Sequence, residues 1–263
     1  MKKKIFRMII NILLILLVSV AFLGCLYSWQ RNMIFFPHPL DENAEHVAPF
    51  KEFEVTFSNN GATLHGWLLN PGKDKLIIYY GGNAEELSYT LGDYSSFSNF
   101  SALMVNYRGY GKSTGSPGEA EFFKDALHIF DLQRGKYKQI ILIGRSIGSG
   151  VACYVAANRD AEKVVLITPF DSLLNIARKC YPYLPVSLVL RHRFDSFSYA
   201  SKAKEKCLFI LAKEDALIPN ENSKRLFGEW AGEKEMLVIE GADHNSVGTY
   251  GQFWQAIREF ITE

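Results

Sequence analysis

Several things are scarce in this chain, and each scarcity removes a class of function. It has four cysteines in 263 residues, Cys25, Cys153, Cys180 and Cys207, with no CxxC pair and no Cys/His ligand spacing, so neither a zinc module nor a dithiol redox site is expected. They read as free, mostly buried thiols, with a Cys180–Cys207 bridge left open. Charge imbalance is nearly absent: the formal net charge is +1 and the two signs are spread through the chain, so no nucleic-acid partner is expected. There is no HExxH and no histidine pair on one helix face, so no metal is expected, and no cofactor is implied. "RGYGKSTG" resembles a phosphate loop, but that spacing needs glycine where Asn106 stands, and a dinucleotide loop needs glycine where Thr114 stands. It reads as a structural turn. Internal repeats and low-complexity tracts are lacking too.

What is present is apolar. With 48% hydrophobic residues, a chain of this length buries enough surface for one large domain without disulfides. Lys2, Lys3, Lys4 and Arg7 precede "MIINILLILLVSVAFLGCLYSW", a run of about 22 residues that would extend about 33 Å as a helix, enough for a hydrocarbon core of roughly 30 Å. The basic residues put the N-terminus on the cytoplasmic side and the rest of the chain across the membrane, in the periplasm if the source is bacterial. Tyr27 and Trp29 would sit at the far interface. Two alternatives stand beside an uncleaved single-pass anchor. A cleaved signal peptide lacks a clear cleavage site, and "FLGC" places Gly24 before Cys25 as lipid attachment requires, with Phe22 where leucine is usual.

After a linker the pattern changes. Residues 1–29 read as the anchor, 30–50 as the linker and 51–263 as the main domain. "FEVTF" and "ATLHGWLLN" flank Asn60-Gly61 as a hairpin. Then "KLIIYY", "SALMVNY", "QIILIG", "KVVLIT", "CLFILA" and "EMLVIE" are short, β-branched-rich runs, as strands buried on both faces require. Helical segments are predicted near 84–98, 118–134, 146–158, 219–230 and 248–262; in the second, Ala120, Phe123, Ala126, Leu127 and Phe130 would form the buried stripe. The alternation predicts an α/β fold: a mostly parallel central sheet with helices on both faces, preceded by one transmembrane helix. Residues from about 170 to 205 carry no strand pattern, contain Pro182 and Pro185, and read as an inserted helical cap.

The chemistry centres on "ILIGRSIGSG". Ser146 stands where a strand runs into a helix, and Gly144 and Gly148 fit a turn too crowded for side chains, the geometry that displays a nucleophile. A serine hydroxyl needs a base, and the base needs a partner to hold its tautomer. Of six histidines, only His244 follows a late core strand, where an open α/β sheet places its site. Asp215, after "CLFILA", completes the order Ser, Asp, His, with Glu214, Asp243 and Asp171 as rivals. For an oxyanion, the main-chain N–H groups of Ile147 and of Asn83, in "GGNAEE", are the candidate donors.

These pieces together resemble the α/β-hydrolase superfamily, and within it the membrane-anchored, BEM46-like group of ABHD hydrolases. The similarity rests on "QRNMIFFP", "YYGGNAEE", "VNYRGYGKSTGSPGE", "LIGRSIGSGVA", "LAKEDALIP" and "GADHN", in the family's order across residues 30 to 250. The resemblance implies a serine hydrolase with Ser146, Asp215 and His244 as its triad and Asn83 and Ile147 as oxyanion donors. It departs at Gly81, where many relatives carry a histidine that could brace the loop. The expectation is a membrane-anchored enzyme that cleaves an ester or thioester of a small-molecule or lipid acyl substrate through an acyl-enzyme, without an obligate protein partner. A serine aminopeptidase-like peptidase and a non-catalytic, membrane-tethered binding protein are the alternatives.

Overall fold

The computed structural model describes residues 2–263. Helix α1 (Lys2–Ile34) is one continuous element. Its residues 3–27 are long and apolar enough to cross a membrane, and none of that stretch is buried against the domain. The helix continues beyond the predicted anchor boundary, and Phe35 immediately after it is buried, edge-on to Phe122 with 5.2 Å between ring centroids.

The described residues of the domain form an eight-stranded sheet in the order β1-β2-β4-β3-β5-β6-β7-β8. Strands β1 (Glu54–Asn59) and β2 (Ala62–Leu69) make the expected hairpin, with Asn60 and Gly61 both at positive φ, 43° and 76°. Strand β2 also pairs antiparallel with β4 (Ser101–Val105). From β4 onward all neighbours are parallel: β3 (Lys75–Tyr80), β5 (Gln139–Arg145), β6 (Lys163–Ile167), β7 (Lys206–Ala212) and β8 (Lys234–Ile239). The chain order reverses beside β3, which has β4 on one side and β5 on the other, and a crevice opens there at the strands' C-terminal ends.

Alternate residues of the apolar runs face opposite layers, which is why these strands read as continuous rather than alternating. On one face Leu76, Ile78 and Leu142 pack with α3 (Glu119–Gln133), α4 (Ile147–Ala156) and α8 (Asn220–Glu229) through Phe122, Val151 and Leu226. On the other, Ile77, Ile141 and Ile143 meet α2 (Leu91–Ser95) and α9 (Gly251–Thr262) through Leu91, Phe253 and Ile257. Segment 170–205 carries α5 (Leu173–Cys180), α6 (Val186–Val189) and α7 (Ser196–Ala200).

Three local readings change. The helix expected over 84–98 is only a 3-10 turn at Leu87–Thr90 followed by the five-residue α2. Glu86 accepts from Ser88 N, while Thr90 and Ser95 hydroxyls donate to backbone carbonyls three residues back, so side chains satisfy groups that a longer helix would use. In α3 the buried stripe is Phe122, Phe123, Ala126, Ile129 and Phe130; Ala120 is exposed and Leu127 only half-buried. All four cysteines are free; Cys153 and Cys207 are buried, but Cys25 and Cys180 are exposed, so the thiols are not mostly buried.

Candidate active site

Strand β5 ends at Arg145 and α4 begins at Ile147, so Ser146 alone makes the turn. Its φ of 52° and ψ of −119° lie where a non-glycine residue is strained, at a cost of about 1–3 kcal/mol. Crowding explains the flanking glycines. A Cβ on Gly144 would overlap the carbonyl of Gly148, and one on Gly148 would overlap the carbonyls of Tyr80 and Gly81.

The structure brings Ser146, Asp215 and His244 together. Ser146 Oγ lies 3.0 Å from His244 Nε2, and His244 Nδ1 lies 2.7 Å from Asp215 Oδ2. The other carboxylate oxygen of Asp215 accepts the main-chain N–H groups of Leu217 and Ile218 at 2.9 and 2.8 Å, which fixes its direction. Asp215's side chain is 2% exposed. The three rival acids point elsewhere. Glu214 is exposed, and Asp243 accepts the N–H groups of Asn245 and Ser246, whose hydrogen bonds hold its carboxyl below the usual range. Asp171 is fully buried and satisfied by Ser172 N, Asn175 Nδ2, Asn222 Nδ2 and Arg225 Nη1, so it ties the cap to α8.

The main-chain N–H groups of Asn83 and Ile147 donate to no other backbone or side-chain group among the described residues, and both residues line one cavity of about 820 Å³ with Ser146 and His244. Leu173 and Ile176 of α5, Leu217 and Ile218, and Met33, Ile34 and Phe36 complete much of its wall. The arrangement supplies a hydroxyl, an imidazole to take its proton, a carboxylate to hold the imidazole, and two unengaged N–H groups: the parts that acyl transfer needs.

A family model described as the alpha/beta hydrolase fold matches residues 64–185. An uncharacterized protein of Mycobacterium tuberculosis (strain H37Rv) is 28% identical, over 95% of this chain and 93% of that one. The protein bem46 of Schizosaccharomyces pombe is 26% identical, over 94% and 91%. Among solved structures, the Pyrococcus furiosus esterase Pf2001 superposes with a TM-score of 0.68 at 18% identity, covering 87% of this chain and 97% of that one. The chain has the α/β-hydrolase fold.

In this α/β-hydrolase fold the loop after β3 is braced without a histidine at position 81. Tyr107 Oη donates to Gly81 O at 3.0 Å, and Tyr110 Oη donates to Asn83 O at 2.6 Å. Burial pushes both phenols well above their ordinary pKa, so they remain protonated donors. Asn83 also reaches back to α1: its side-chain amide donates to Ile34 O at 2.9 Å, and its carbonyl accepts Phe36 N at 3.1 Å.

Arg145 and Glu85 are the residues sequence reasoning missed. Glu85 Oε2 accepts Gly82 N at 2.7 Å and faces Arg145 Nη1 at 3.4 Å, while Oε1 accepts Tyr79 Oη at 2.7 Å. Arg145 Nη2 donates to His244 O at 3.3 Å. Burial works against the Arg145 charge, but Glu85 and Tyr79 more than offset it and its pKa rises. One ion pair therefore links the glycine loop to the His244 loop. The available signal was an arginine ending an otherwise apolar strand, with an acid in the loop beside it.

Proposed function

We propose that this protein is a membrane-anchored serine hydrolase that cleaves a carboxylic ester or thioester through an acyl-enzyme on Ser146. The observation that carries the proposal is the hydrogen-bonded row Ser146, His244, Asp215 inside one cavity. His244 takes the Ser146 proton as Oγ bonds the acyl carbon, and the developing oxyanion is held by the N–H groups of Asn83 and Ile147. The alcohol or thiol leaves with the proton from His244. Water then gives a proton to His244 and its oxygen to the acyl carbon, the acid departs, and Ser146 regains its proton. Asp215 keeps Nδ1 protonated and offsets the charge on the ring. The fold shared with an esterase supports a hydrolase in general.

The apolar residues 3–27 serve as the anchor in this reading, and Lys2, Lys3, Lys4 and Arg7 before them keep the N-terminus cytoplasmic and the hydrolase domain outside. The test uses full-length protein in detergent micelles. A fluorophosphonate should label wild type and not Ser146→Ala, and only wild type should turn over butyryl esters and thioesters. No Ser146-dependent labelling, with no turnover above background by either protein, would show a binding protein that merely keeps the fold, and equal turnover by both would refute Ser146 as the nucleophile.

A further inference from the structure

A second cavity, about 250 Å³, lies between α1 and the cap. One wall is α1, from Leu23 and Leu26 to Met33 and Ile34; the other runs along the cap from Ala177 of α5 through Tyr181 and Leu184 to Val189 of α6. Its two ends are informative. Leu23 and Leu26 belong to the apolar stretch 3–27, whereas Met33 and Ile34 also line the cavity that holds Ser146. The groove therefore runs from the level of the apolar stretch to the nucleophile.

Its one amide offers little to a ligand. Gln30 is buried, and its side chain donates to Val189 O at 3.0 Å and accepts Arg191 N at 2.6 Å. Those two bonds fasten the cap to α1 and set the groove's width. Arg191, stacked over Tyr27 at 4.9 Å, closes the same contact from outside. A polar ligand laid along such walls would lose water without replacing its hydrogen bonds, whereas an alkyl chain gains about fourfold in affinity per buried methylene.

We propose that the groove is an acyl-chain subsite that α1 and the cap build jointly. A long unbranched chain lies in it with its tail at Leu23 and Leu26 and its carbonyl at Ser146, having slid in from the bilayer. The inference rests on the serine-hydrolase reading and deepens it: the substrate is a long-chain acyl ester or thioester resident in the membrane, and α1 is a wall of its binding site as well as an anchor.

The test is again made on the full chain in detergent. A hexadecyl fluorophosphonate with a diazirine at the chain terminus reacts at Ser146: Oγ bonds phosphorus, fluoride leaves, and the proton passes to His244. Irradiation should then cross-link the tail to residues 23–34 or 177–190. Attachment to Ser146 with cross-links confined elsewhere overturns the subsite and leaves the hydrolase reading intact, whereas failure to attach at Ser146 overturns both. Independently, Ala177→Trp and Leu26→Trp should each lower the ratio of kcat/KM for hexadecanoyl over butyryl thioester by at least about tenfold, since an indole that displaces even two methylenes at about fourfold each removes that much. An unchanged ratio in both variants overturns the proposal.

Discussion

The Glu85 carboxylate can be tested by two substitutions that separate its charge from its shape. In Glu85→Gln one oxygen remains. Gly82 N–H and Arg145 can only donate, so that oxygen should face them, and the new NH2 should face Tyr79 Oη, which can turn to accept. The constellation survives without its charge. Charge-assisted hydrogen bonds are worth about 1 kcal/mol more than neutral ones, so three weakened contacts, with that to the part-exposed Arg145 discounted, lower stability by about 2 kcal/mol. Glu85→Ala leaves those donors without the carboxylate and frees the glycine loop. Loss of the pair costs about 3 kcal/mol. If the Asn83 N–H then loses its aim, kcat falls about 100-fold, the cost of one oxyanion donor. Glu85→Gln should lose less than about tenfold in kcat, because the donor's position is kept. The assay is steady-state hydrolysis of a butyryl ester, corrected by fluorophosphonate titration of competent sites and paired with urea unfolding curves. KM should change little in both variants. The reasoning is refuted if Glu85→Ala loses the expected stability yet keeps kcat within threefold of wild type, for the brace would then be structural only.

Two further outcomes are expected. Burial lowers the pKa of His65 despite the neighbouring Glu54, and lowers that of His192, with Arg191 and Arg31 adding to the effect. Because the folded values lie below the unfolded value of about 6.5, the unfolded chain takes up protons first as pH falls; stability is complete above about pH 6.5 and is lost as pH drops through the folded values. Urea midpoints between pH 7.5 and 5 should show this fall, with His65→Gln flattening it; an unaltered slope in that variant counts against the assignment. Gly148→Ala should drive a methyl into the Tyr80 and Gly81 carbonyls and lose about 1–3 kcal/mol, whereas Gly228→Ala in α8, with open space around its Cβ position, should gain about 0.5 kcal/mol. Thermal unfolding of the pair reads the contrast directly, and a neutral Gly148→Ala would contradict the crowded-turn account.

The strands were legible because a sheet covered on both sides demands runs such as "KLIIYY" and "QIILIG", and periodicity marks such runs without any tertiary information. Ser146, Asp215 and His244 could be picked out for a related reason: each follows a named strand, and parallel strands bring their C-terminal ends to one edge. The position of Asn83 was legible in the same way, from the loop after β3. What holds that loop was not legible, because Tyr107, Tyr110 and Arg145 reach it from elsewhere in the chain, and no local spacing encodes such contacts. The tract 84–98 misled because its polar side chains bond nearby backbone, a competition that hydrophobic periodicity does not register. The register of α3 slipped for a simpler reason: Phe122 and Phe123 are both buried, and a stripe that wide fits more than one phase.

The unbroken passage of α1 into the domain has a mechanical consequence. Ile34 lies seven positions beyond Tyr27, the end of the apolar stretch, about 10 Å along the helix. With Gln30 joined to the cap, Phe35 sunk in the core and Asn83 bonded to Ile34, that short post cannot pivot as a flexible tether would. The hydrolase domain would then ride at a set height and tilt over the bilayer, with its crevice held near the headgroups. Cutting the chain after the apolar stretch to obtain a soluble enzyme would remove the gauge that sets that height, and cutting it at residue 37 would also take away part of the pocket.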